Sequence, residues 1–176
     1  MLFRSIAIGD LDGIGRSDLI ASFAGYGTFA YMNGTSWVAL HSLEATNLLT
    51  GDIDGNGIDD LVATFVGYGT WIRYDSGGWA QLHAQVPDAM AVGNIDGGPG
   101  GKADVILSLG AAGTWAWMNN TAFAQIHPLP VTRLAIGDLD GNGIGDVVAQ
   151  FATYGEYIFY NNTTWTGLHP LQSTGF

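Results

Sequence analysis

One pattern recurs four times along the chain and limits what it can fold into. Its most visible members are four histidines spaced 42, 44 and 42 residues apart, namely His41, His83, His127 and His169. An aromatic residue stands four positions before each histidine and a glycine stands fourteen positions before it. A period of about 40 to 45 residues indicates an array of repeats, each of which is one supersecondary unit. The two extra residues of the third repeat fall in the Gly-Pro run 97–101, which is typical of a loop.

Each repeat reads as four short strands separated by turns. In the second repeat, strands are predicted over 46–51, 61–65, 70–74 and 79–83, with Gly, Asp and Ser between them. The third strand is apolar on both faces in every repeat, so its sheet needs neighbours on both sides. Four antiparallel strands per repeat form one propeller blade, and we therefore predict an all-β propeller of four blades of 42 to 44 residues. A β-solenoid is the weaker alternative.

The predicted domain organisation follows the repeat. We expect a single repeat domain, 1–176, whose approximate blades are 1–42, 43–84, 85–128 and 129–170, with 171–176 starting the next repeat phase. Residues 1–6 and 171–176 share the phase of 43–48, so the chain is expected to be an excised or designed piece of a repeating array. Four blades can close alone, and two chains joined through these ends would form an eight-bladed ring as a homo-oligomer. Both arrangements are compatible with the sequence.

Composition excludes several classes of function. The net charge of −11, with only five scattered Lys and Arg residues, argues against a nucleic-acid partner. The absence of cysteine excludes disulfides and zinc-thiolate sites. Neither a signal peptide nor a membrane-inserted helix is expected from the apolar patterns. Only two glutamates occur, and no nucleophile, base and acid constellation is visible, so we do not expect an enzyme.

The acidic residues are concentrated in one Gly-rich loop per repeat. Together these four loops hold twelve of the fourteen aspartates. The second loop places side-chain oxygens at positions 1, 3, 5 and 9 and a main-chain carbonyl at position 7, so its candidate ligands are Asp52, Asp54, Asn56, Ile58 and Asp60. Calcium takes about six to eight oxygen ligands, backbone carbonyls included. Converging carboxylates repel one another unless a cation or hydrogen-bond donors offset them, and no Lys or Arg recurs nearby. We therefore expect Ca²⁺ here, with ordinary turn formation as the alternative.

The other three loops match this pattern to different degrees. The fourth loop retains every ligand position, as Asp138, Asp140, Asn142, Ile144 and Asp146. The first loop keeps Asp10, Asp12 and Asp18 but has Ile14 at position 5, so weaker binding is expected there. The third loop starts with Asn94 and reaches Asp104 only after the insertion, so no tight site is expected. An EF-hand is excluded because the position-12 glutamate and the flanking helices are missing.

The acidic loop and the strand after it resemble a known repeat. The stretch GDIDGNGIDDLVATF, which recurs as GDLDGIGRSDLIASF, GNIDGGPGGKADVILSL and GDLDGNGIGDVVAQF, is similar to the FG-GAP/VCBS-type repeat of integrin-like β-propellers. The resemblance covers essentially the whole chain. It implies a calcium-bearing loop between the first two strands of each blade, an extracellular or cell-surface location, and a role in scaffolding or recognition of other molecules.

A second function is suggested by aromatic residues that recur in each repeat. Trp37, Trp79 and Trp165 share one repeat phase, and Tyr26, Tyr68 and Tyr154 share another beside glycine. Inter-blade packing is the simpler interpretation of these residues. The alternative is a lectin-like propeller that holds a glycan in an aromatic pocket repeated per blade. The sequence thus predicts a calcium-stabilised, non-catalytic scaffold that binds a protein or glycan ligand.

Overall fold

The computed structural model describes residues 3–75 and 77–171. These residues form four separate antiparallel sheets of four strands each, and in every sheet the strands lie in chain order. Sheet 1 contains β1 (Phe3–Gly9), β2 (Asp18–Phe23), β3 (Gly27–Met32) and β4 (Ser36–His41). Sheet 2 contains β5 (Ala45–Gly51), β6 (Asp60–Phe65), β7 (Gly69–Arg73) and β8 (Trp79–His83). The predicted all-β fold and the predicted strands are confirmed.

The second half of the chain repeats this arrangement. Sheet 3 contains β9 (Ala89–Gly93), β10 (Asp104–Ser108), β11 (Thr114–Met118) and β12 (Ala122–His127). Sheet 4 contains β13 (Arg133–Gly137), β14 (Asp146–Phe151), β15 (Gly155–Tyr160) and β16 (Thr164–His169). The insertion in the third repeat forms a short 3₁₀ turn, Pro99–Gly101, between β9 and β10. The extra residues therefore lengthen a loop and leave the strands of sheet 3 intact, as the sequence predicts.

The chain divides into two compact units, the first ending at Val86 and the second starting at Pro87. In the first unit, β1 lies beside β5, and sheets 1 and 2 share one apolar core. This core contains Leu11, Ile20, Ala30, Ala45, Leu48, Leu61, Ala63 and Phe65. In the second unit β9 lies beside β13, and Ile95, Ile106, Ala116, Val147 and Phe159 form the corresponding cluster. The single domain predicted over 1–176 stays a prediction.

A β-bulge interrupts the pairing of the third and fourth strands near the start of the third strand in every sheet. In sheet 1, Thr28 pairs with His41 and Phe29 pairs with Ala39, so Leu40 is the extra residue. Gly27 precedes this bulge with a positive φ, and a Cβ there would lie 2.5 Å from the carbonyl oxygen of His41. The recurring glycine of each repeat is therefore required by a close approach of the fourth strand.

The described part of the chain contains no helix that is long and apolar enough to cross a membrane.

Candidate functional site

Each acidic loop connects the first and second strands of its sheet, as the sequence predicts. The position-9 aspartate of each loop is buried at the start of the second strand, and the four equivalents are Asp18, Asp60, Asp104 and Asp146. In the second loop, Asp60 Oδ2 accepts hydrogen bonds from the main-chain N–H groups of Ile53 (2.9 Å) and Asp54 (3.2 Å). Its Oδ1 accepts the N–H of Asp75 at 3.0 Å. The buried carboxylate therefore joins its own loop to the distant turn between β7 and β8.

The position-1 aspartate accepts hydrogen bonds from the backbone of its own loop. Asp52 accepts the N–H groups of Gly55 (2.7 Å) and Asn56 (3.0 Å) through Oδ1, and that of Gly57 (2.8 Å) through Oδ2. Asp138 makes the same three bonds in the fourth loop. Backbone N–H groups thus supply the donors that offset part of the carboxylate charge, a contribution that the count of Lys and Arg in the sequence does not register.

A residue outside the loop also contacts the candidate ligands. It is the first residue of the turn between the third and fourth strands, and we call it the turn residue; the four equivalents are Asn33, Asp75, Asn119 and Asn161. All four have positive φ, which Asn and Asp tolerate better than most residues. Asn33 donates its N–H to Asp18 Oδ1 (2.7 Å) and its Nδ2 to Asp12 Oδ2 (2.8 Å), so it contacts two candidate ligands at once. Sequence reasoning missed this residue, although its 42, 44 and 42 spacing is visible.

The carboxylates of three loops converge. In each triad, one oxygen from each of the three aspartates lies within 4.8 Å of the other two. The triads are Asp10, Asp12 and Asp18; Asp52, Asp54 and Asp60; and Asp138, Asp140 and Asp146. Among the described residues no such triad is found in the third loop, where Asn94 replaces the position-1 aspartate. The structure therefore brings together the predicted aspartates of these three loops, and their role as metal ligands stays a prediction.

The donor set of these loops fits calcium. Asp and Asn side chains and main-chain carbonyls are hard oxygen donors, and calcium accepts all three. The turn residues beside the first and second loops each hold a buried side-chain oxygen without a hydrogen-bond partner, Asn33 Oδ1 and Asp75 Oδ1, and so does Asn119 Oδ1 beside the third loop, which has no triad. A buried oxygen without a partner costs free energy that a cation or an ordered water would recover. The hydrogen bonds already made by the position-1 and position-9 carboxylates leave lone pairs for a cation.

Burial and hydrogen bonding move the pKa values of the loop carboxylates in opposite directions. Desolvation raises the pKa of Asp60 to about 6, and the nearby charge of Asp54 adds to this, although backbone N–H bonds oppose it. Burial likewise raises the pKa of Asp104. The pKa of Asp138 is lowered, chiefly by the hydrogen bond from the N–H of Gly143. Ionising Asp60 near neutral pH without a counter-ion therefore costs free energy in the second loop.

Neighbouring loops within a unit are in direct contact. Asp59, at position 8 of the second loop, is hydrogen-bonded to Asp10 of the first loop. The side chain of Ile58 covers Gly13, where a Cβ would lie 2.8 Å from it, and Ile144 covers Gly97 in the same way at 2.9 Å. The sequence assigns Ile58 and Ile144 only a carbonyl ligand, so this packing role of their side chains is an addition from the structure.

Two aromatic clefts occupy equivalent places in the two units. Cleft A lies between sheets 1 and 2 and is lined by His41, Ser42, Leu43, Phe65, Tyr68, Trp71 and Trp79. Cleft B lies between sheets 3 and 4 and is lined by His127, Leu129, Phe151, Tyr154, Tyr157 and Trp165. Every residue of cleft B has its repeat equivalent in cleft A. The volume of cleft A, about 390 Å³, falls within the usual range for small-molecule sites, whereas that of cleft B is about 180 Å³.

The tryptophans of these clefts also join adjacent sheets. Trp79 Nε1 donates to the carbonyl oxygen of Leu40 at 3.2 Å, and Trp165 Nε1 donates to that of Ile126 at 3.0 Å. Leu40 and Ile126 are the extra residues of the bulges in sheets 1 and 3, so their carbonyls stand outside the regular ladder. The rings of these tryptophans line the clefts while their N–H groups are used in the interface between sheets.

The recurring histidines have a common local hydrogen bond. The Nδ1 atom of each accepts the main-chain N–H two residues later, at 2.9 to 3.1 Å, in His41, His83, His127 and His169. This bond favours the neutral tautomer that carries its proton on Nε2. Desolvation also lowers the pKa of His41 and of His127, which favours the neutral form. His41 and His127 therefore offer an N–H donor at the edge of each cleft.

The remaining predicted ligand-contacting residues lie partly at these clefts and partly in sheet 1. Tyr68 and Tyr154 are on the rims of clefts A and B, and their side chains are exposed. Tyr26 and Trp37 are the sheet 1 equivalents of Tyr68 and Trp79, and neither is among the residues that line clefts A and B. Trp37 is half exposed and packs against Phe23 and Tyr31, with ring centroids 5.4 and 5.1 Å apart. The structure therefore groups four of the six predicted aromatic residues into two clefts.

Comparisons with known proteins give structural matches only. No family model matches the sequence, and no curated protein matches it either. A solved lectin of Agrocybe aegerita, whose structure describes specific recognition of non-reducing terminal N-acetylglucosamine, is similar over 97% of this chain with 20% identity and a TM-score of 0.63. A solved BBS1N chain, in complex with ARL6DN, is similar over 97% of this chain with 14% identity and a TM-score of 0.62.

These similarities establish the fold. Both solved chains have propeller-type domains, so the four sheets described above are those of a β-propeller-type fold, as the sequence predicts. The chain spans about half the length of these relatives, 52% of the lectin and 55% of BBS1N.

Proposed function

We propose that this chain is a non-catalytic recognition scaffold whose acidic loops bind calcium. The observation that carries the proposal is the convergence of three carboxylates in each of three loops. One desolvated carboxylate in the second loop, that of Asp60, has a pKa raised to about 6, so ionising it near neutral pH costs free energy that a bound cation would offset. The resemblance of the loops to FG-GAP/VCBS-type repeats agrees with this proposal, and an extracellular location would expose such sites to calcium.

Calcium would act on the fold and not as a reaction centre. A site made of one loop and one turn exists only in the folded chain, so calcium would bind the native state in preference to the unfolded state. The role of each aspartate in the calcium site would then depend on its position in the loop. The position-1 and position-9 carboxylates fix the loop through backbone N–H bonds, and the position-3 carboxylate completes the anionic surface.

Calcium binding can be measured directly. After treatment with chelator and its removal, isothermal titration with CaCl₂ should show at least two sites per chain, and MgCl₂ should bind more weakly because Mg²⁺ demands a stricter octahedral geometry. A variant that combines Asp54→Asn and Asp140→Asn should lose those two sites. Absence of calcium binding by the wild-type chain would sink the proposal.

A second candidate function is carbohydrate binding, and the paired clefts favour it. Small-molecule sites are lined mainly by apolar and aromatic side chains with a few polar groups that fix orientation. Clefts A and B combine aromatic rings with one histidine donor each, and equivalent repeat positions line both of them. A sugar ring offers an apolar face to an aromatic ring and hydroxyl groups to the donor. The fold similarity to the Agrocybe aegerita lectin makes N-acetylglucosamine the first probe.

Exposed rim residues allow this second function to be tested without unfolding the chain. Tyr68→Ala and Tyr154→Ala remove the rims of clefts A and B, and Tyr26→Ala is the matched control because it is the repeat equivalent outside both clefts. On a glycan array and in titration with N-acetylglucosamine, the first two variants should bind more weakly than the wild-type chain and the control should not. Equal binding by all four proteins would contradict a role for the clefts.

The scaffold is also proposed to assemble. A homo-oligomer that completes a larger propeller ring would double the mass in light scattering, whereas a four-bladed monomer would keep the mass of one chain. Measuring the mass with and without chelator separates an assembly that depends on calcium from one that does not.

A further inference from the structure

The turn residue of sheet 2 differs from those of the other three sheets. The second and fourth loops have the same residue types at positions 1, 3, 5, 7 and 9. Their turn residues are Asp75 and Asn161 respectively, so one loop faces a carboxylate where the other faces an amide. Within the loops themselves only position 2 (Ile53 and Leu139) and position 8 (Asp59 and Gly145) differ. The two loops thus form a natural comparison.

In sheet 4 the amide of Asn161 bonds three candidate ligands. Its N–H donates to Asp146 Oδ1 at 3.1 Å, and its Nδ2 donates to Asp140 Oδ2 at 2.9 Å. Its Oδ1 accepts a short hydrogen bond from Nδ2 of Asn142. The amide therefore neutralises part of the charge of Asp140 and holds that carboxylate in place.

In sheet 2 a carboxylate occupies the same position. Asp75 keeps the main-chain bond to Asp60 and accepts Nδ2 of Asn56 through Oδ2 at 2.8 Å. Its side chain has no N–H to donate to Asp54, so the Asp54 carboxylate lacks the side-chain amide partner that its equivalent Asp140 has in Asn161. The second oxygen of Asp75, Oδ1, is buried and has no hydrogen-bond partner. The second loop thus faces one carboxylate in addition to the three of its triad, and this carboxylate has an acceptor atom without a partner.

An arginine stabilises this arrangement. The guanidinium of Arg73 donates a hydrogen bond to the main-chain carbonyl of Asp75, and its charge acts on the carboxylate as well. The equivalent residue in sheet 4 is Phe159. Arg73 therefore offsets part of the repulsion that the added carboxylate brings to the metal-free loop.

We infer that the turn residue sets the cation affinity of each loop, and that Asp75 makes the loop at 52–60 the tightest calcium site of the chain. This inference rests on the proposed calcium function. Calcium sites tune their affinity through the number of charged ligands and the rigidity of the site. Asp75 adds a carboxylate that contacts the candidate ligand Asn56, beside the three carboxylates that converge in this loop. Asn161 instead partly neutralises Asp140 in an otherwise matching loop.

The test exchanges the two turn residues and measures each loop alone. In one variant, Asp12→Asn and Asp140→Asn weaken the first and fourth triads, so that the calcium binding measured is that of the second loop. In the other variant, Asp12→Asn and Asp54→Asn weaken the first and second triads, so that the calcium binding measured is that of the fourth loop. Calcium titration should show that Asp75→Asn weakens the second loop about tenfold and that Asn161→Asp tightens the fourth loop about tenfold. The gain at Asn161 cannot result from misfolding.

Each outcome decides the question. Opposite changes of this size in the two backgrounds support the inference, and the calcium preference over magnesium should rise with the added carboxylate. Affinities that change less than twofold in both exchanges, or that change in the reverse directions, overturn it while leaving calcium binding by the loops intact. No binding to the second loop in its unexchanged background overturns the inference and the proposed calcium role of that loop together.

Discussion

Asp59 and Asp10 are joined by a reciprocal pair of hydrogen bonds between neighbouring loops. The N–H of Asp59 donates to the carbonyl oxygen of Asp10 at 2.9 Å, and Asp59 Oδ2 accepts the N–H of Asp10 at 2.9 Å. In the second unit the main-chain half of this pair is kept, because the N–H of Gly145 donates to the carbonyl of Asn94 at 2.8 Å. Adjacent acidic loops are therefore mechanically linked within each unit.

This pair predicts a difference between two substitutions at one position. Asp59→Ala removes the acceptor for the N–H of Asp10 and should lower the free energy of unfolding by about 1 kcal/mol. Asp59→Asn removes the charge but keeps a carbonyl acceptor, so most of that stability should remain. Urea denaturation in chelator measures both variants. Equal losses would assign the effect to charge and not to the hydrogen bond.

The indole of Trp79 makes a second link between sheets, and its loss should be measurable. Trp79→Phe leaves the Leu40 carbonyl without its donor, so the free energy of unfolding should fall by about 1 to 3 kcal/mol. Trp37→Phe is the matched control, since Trp37 is half exposed and should change stability by about 0.5 kcal/mol or less. A control variant as unstable as Trp79→Phe would show that aromatic packing, and not the bond across the sheets, decides the outcome.

Two glycines in one turn separate backbone strain from steric clash. Gly67 and Gly69 both have positive φ, but a Cβ at Gly67 meets nothing within 4 Å, whereas one at Gly69 would lie 2.3 Å from the carbonyl oxygen of His83. Gly67→Ala should cost about 1 to 2 kcal/mol from the left-handed backbone alone. Gly69→Ala should cost about 1 to 3 kcal/mol more, because the fourth strand must move. Equal midpoints in urea would contradict the close approach at the bulge.

The titration of Asp60 should report on the metal-free loop. Desolvation raises its pKa to about 6 from an ordinary value of 3.8, so the protonated form is favoured in the folded state. The contribution of this group to stability is therefore greatest below pH 3.8 and is lost as the pH rises through about 6. Carboxyl ¹³C NMR in chelator should find a midpoint near 6, and calcium should lower it. A midpoint below 4 in chelator would contradict the burial argument.

The repeat explains why most of the fold could be predicted from the sequence. Four copies of one pattern fix the strands, and the nine-residue loops contain their candidate ligands locally, so spacing alone groups Asp52, Asp54 and Asp60. The contacts that the sequence did not reveal join residues far apart in the chain. Asp60 bonds the turn residue 15 positions later, and Trp79 bonds Leu40, 39 positions earlier. Such partners depend on the packing of one sheet against the next.

The β-bulges are a further feature that the sequence alone does not predict, as Leu40 shows. Leu40 belongs to an apparently regular strand, and nothing in its composition marks it as the extra residue. The bulge at Leu40 depends on Gly27, because only a residue without a Cβ can lie this close to the carbonyl oxygen of His41. The turn residues could have been found, because Asn33, Asp75, Asn119 and Asn161 keep the spacing of the histidines. Their role required the structure, since an Asn in a turn is expected for backbone reasons alone.

Calcium binding by the acidic loops of the folded chain can be tested by thermal unfolding. The chain should be stripped with chelator, checked for residual metal by elemental analysis, and melted with and without excess CaCl₂. We expect a higher Tm with calcium, since each site at 100 times its Kd adds about 2.7 kcal/mol, and we expect little of this gain in a variant carrying Asp54→Asn and Asp140→Asn. Superimposable melting curves for the stripped and calcium-loaded wild-type chain would contradict it and would leave the loops as turns held by their own backbone hydrogen bonds.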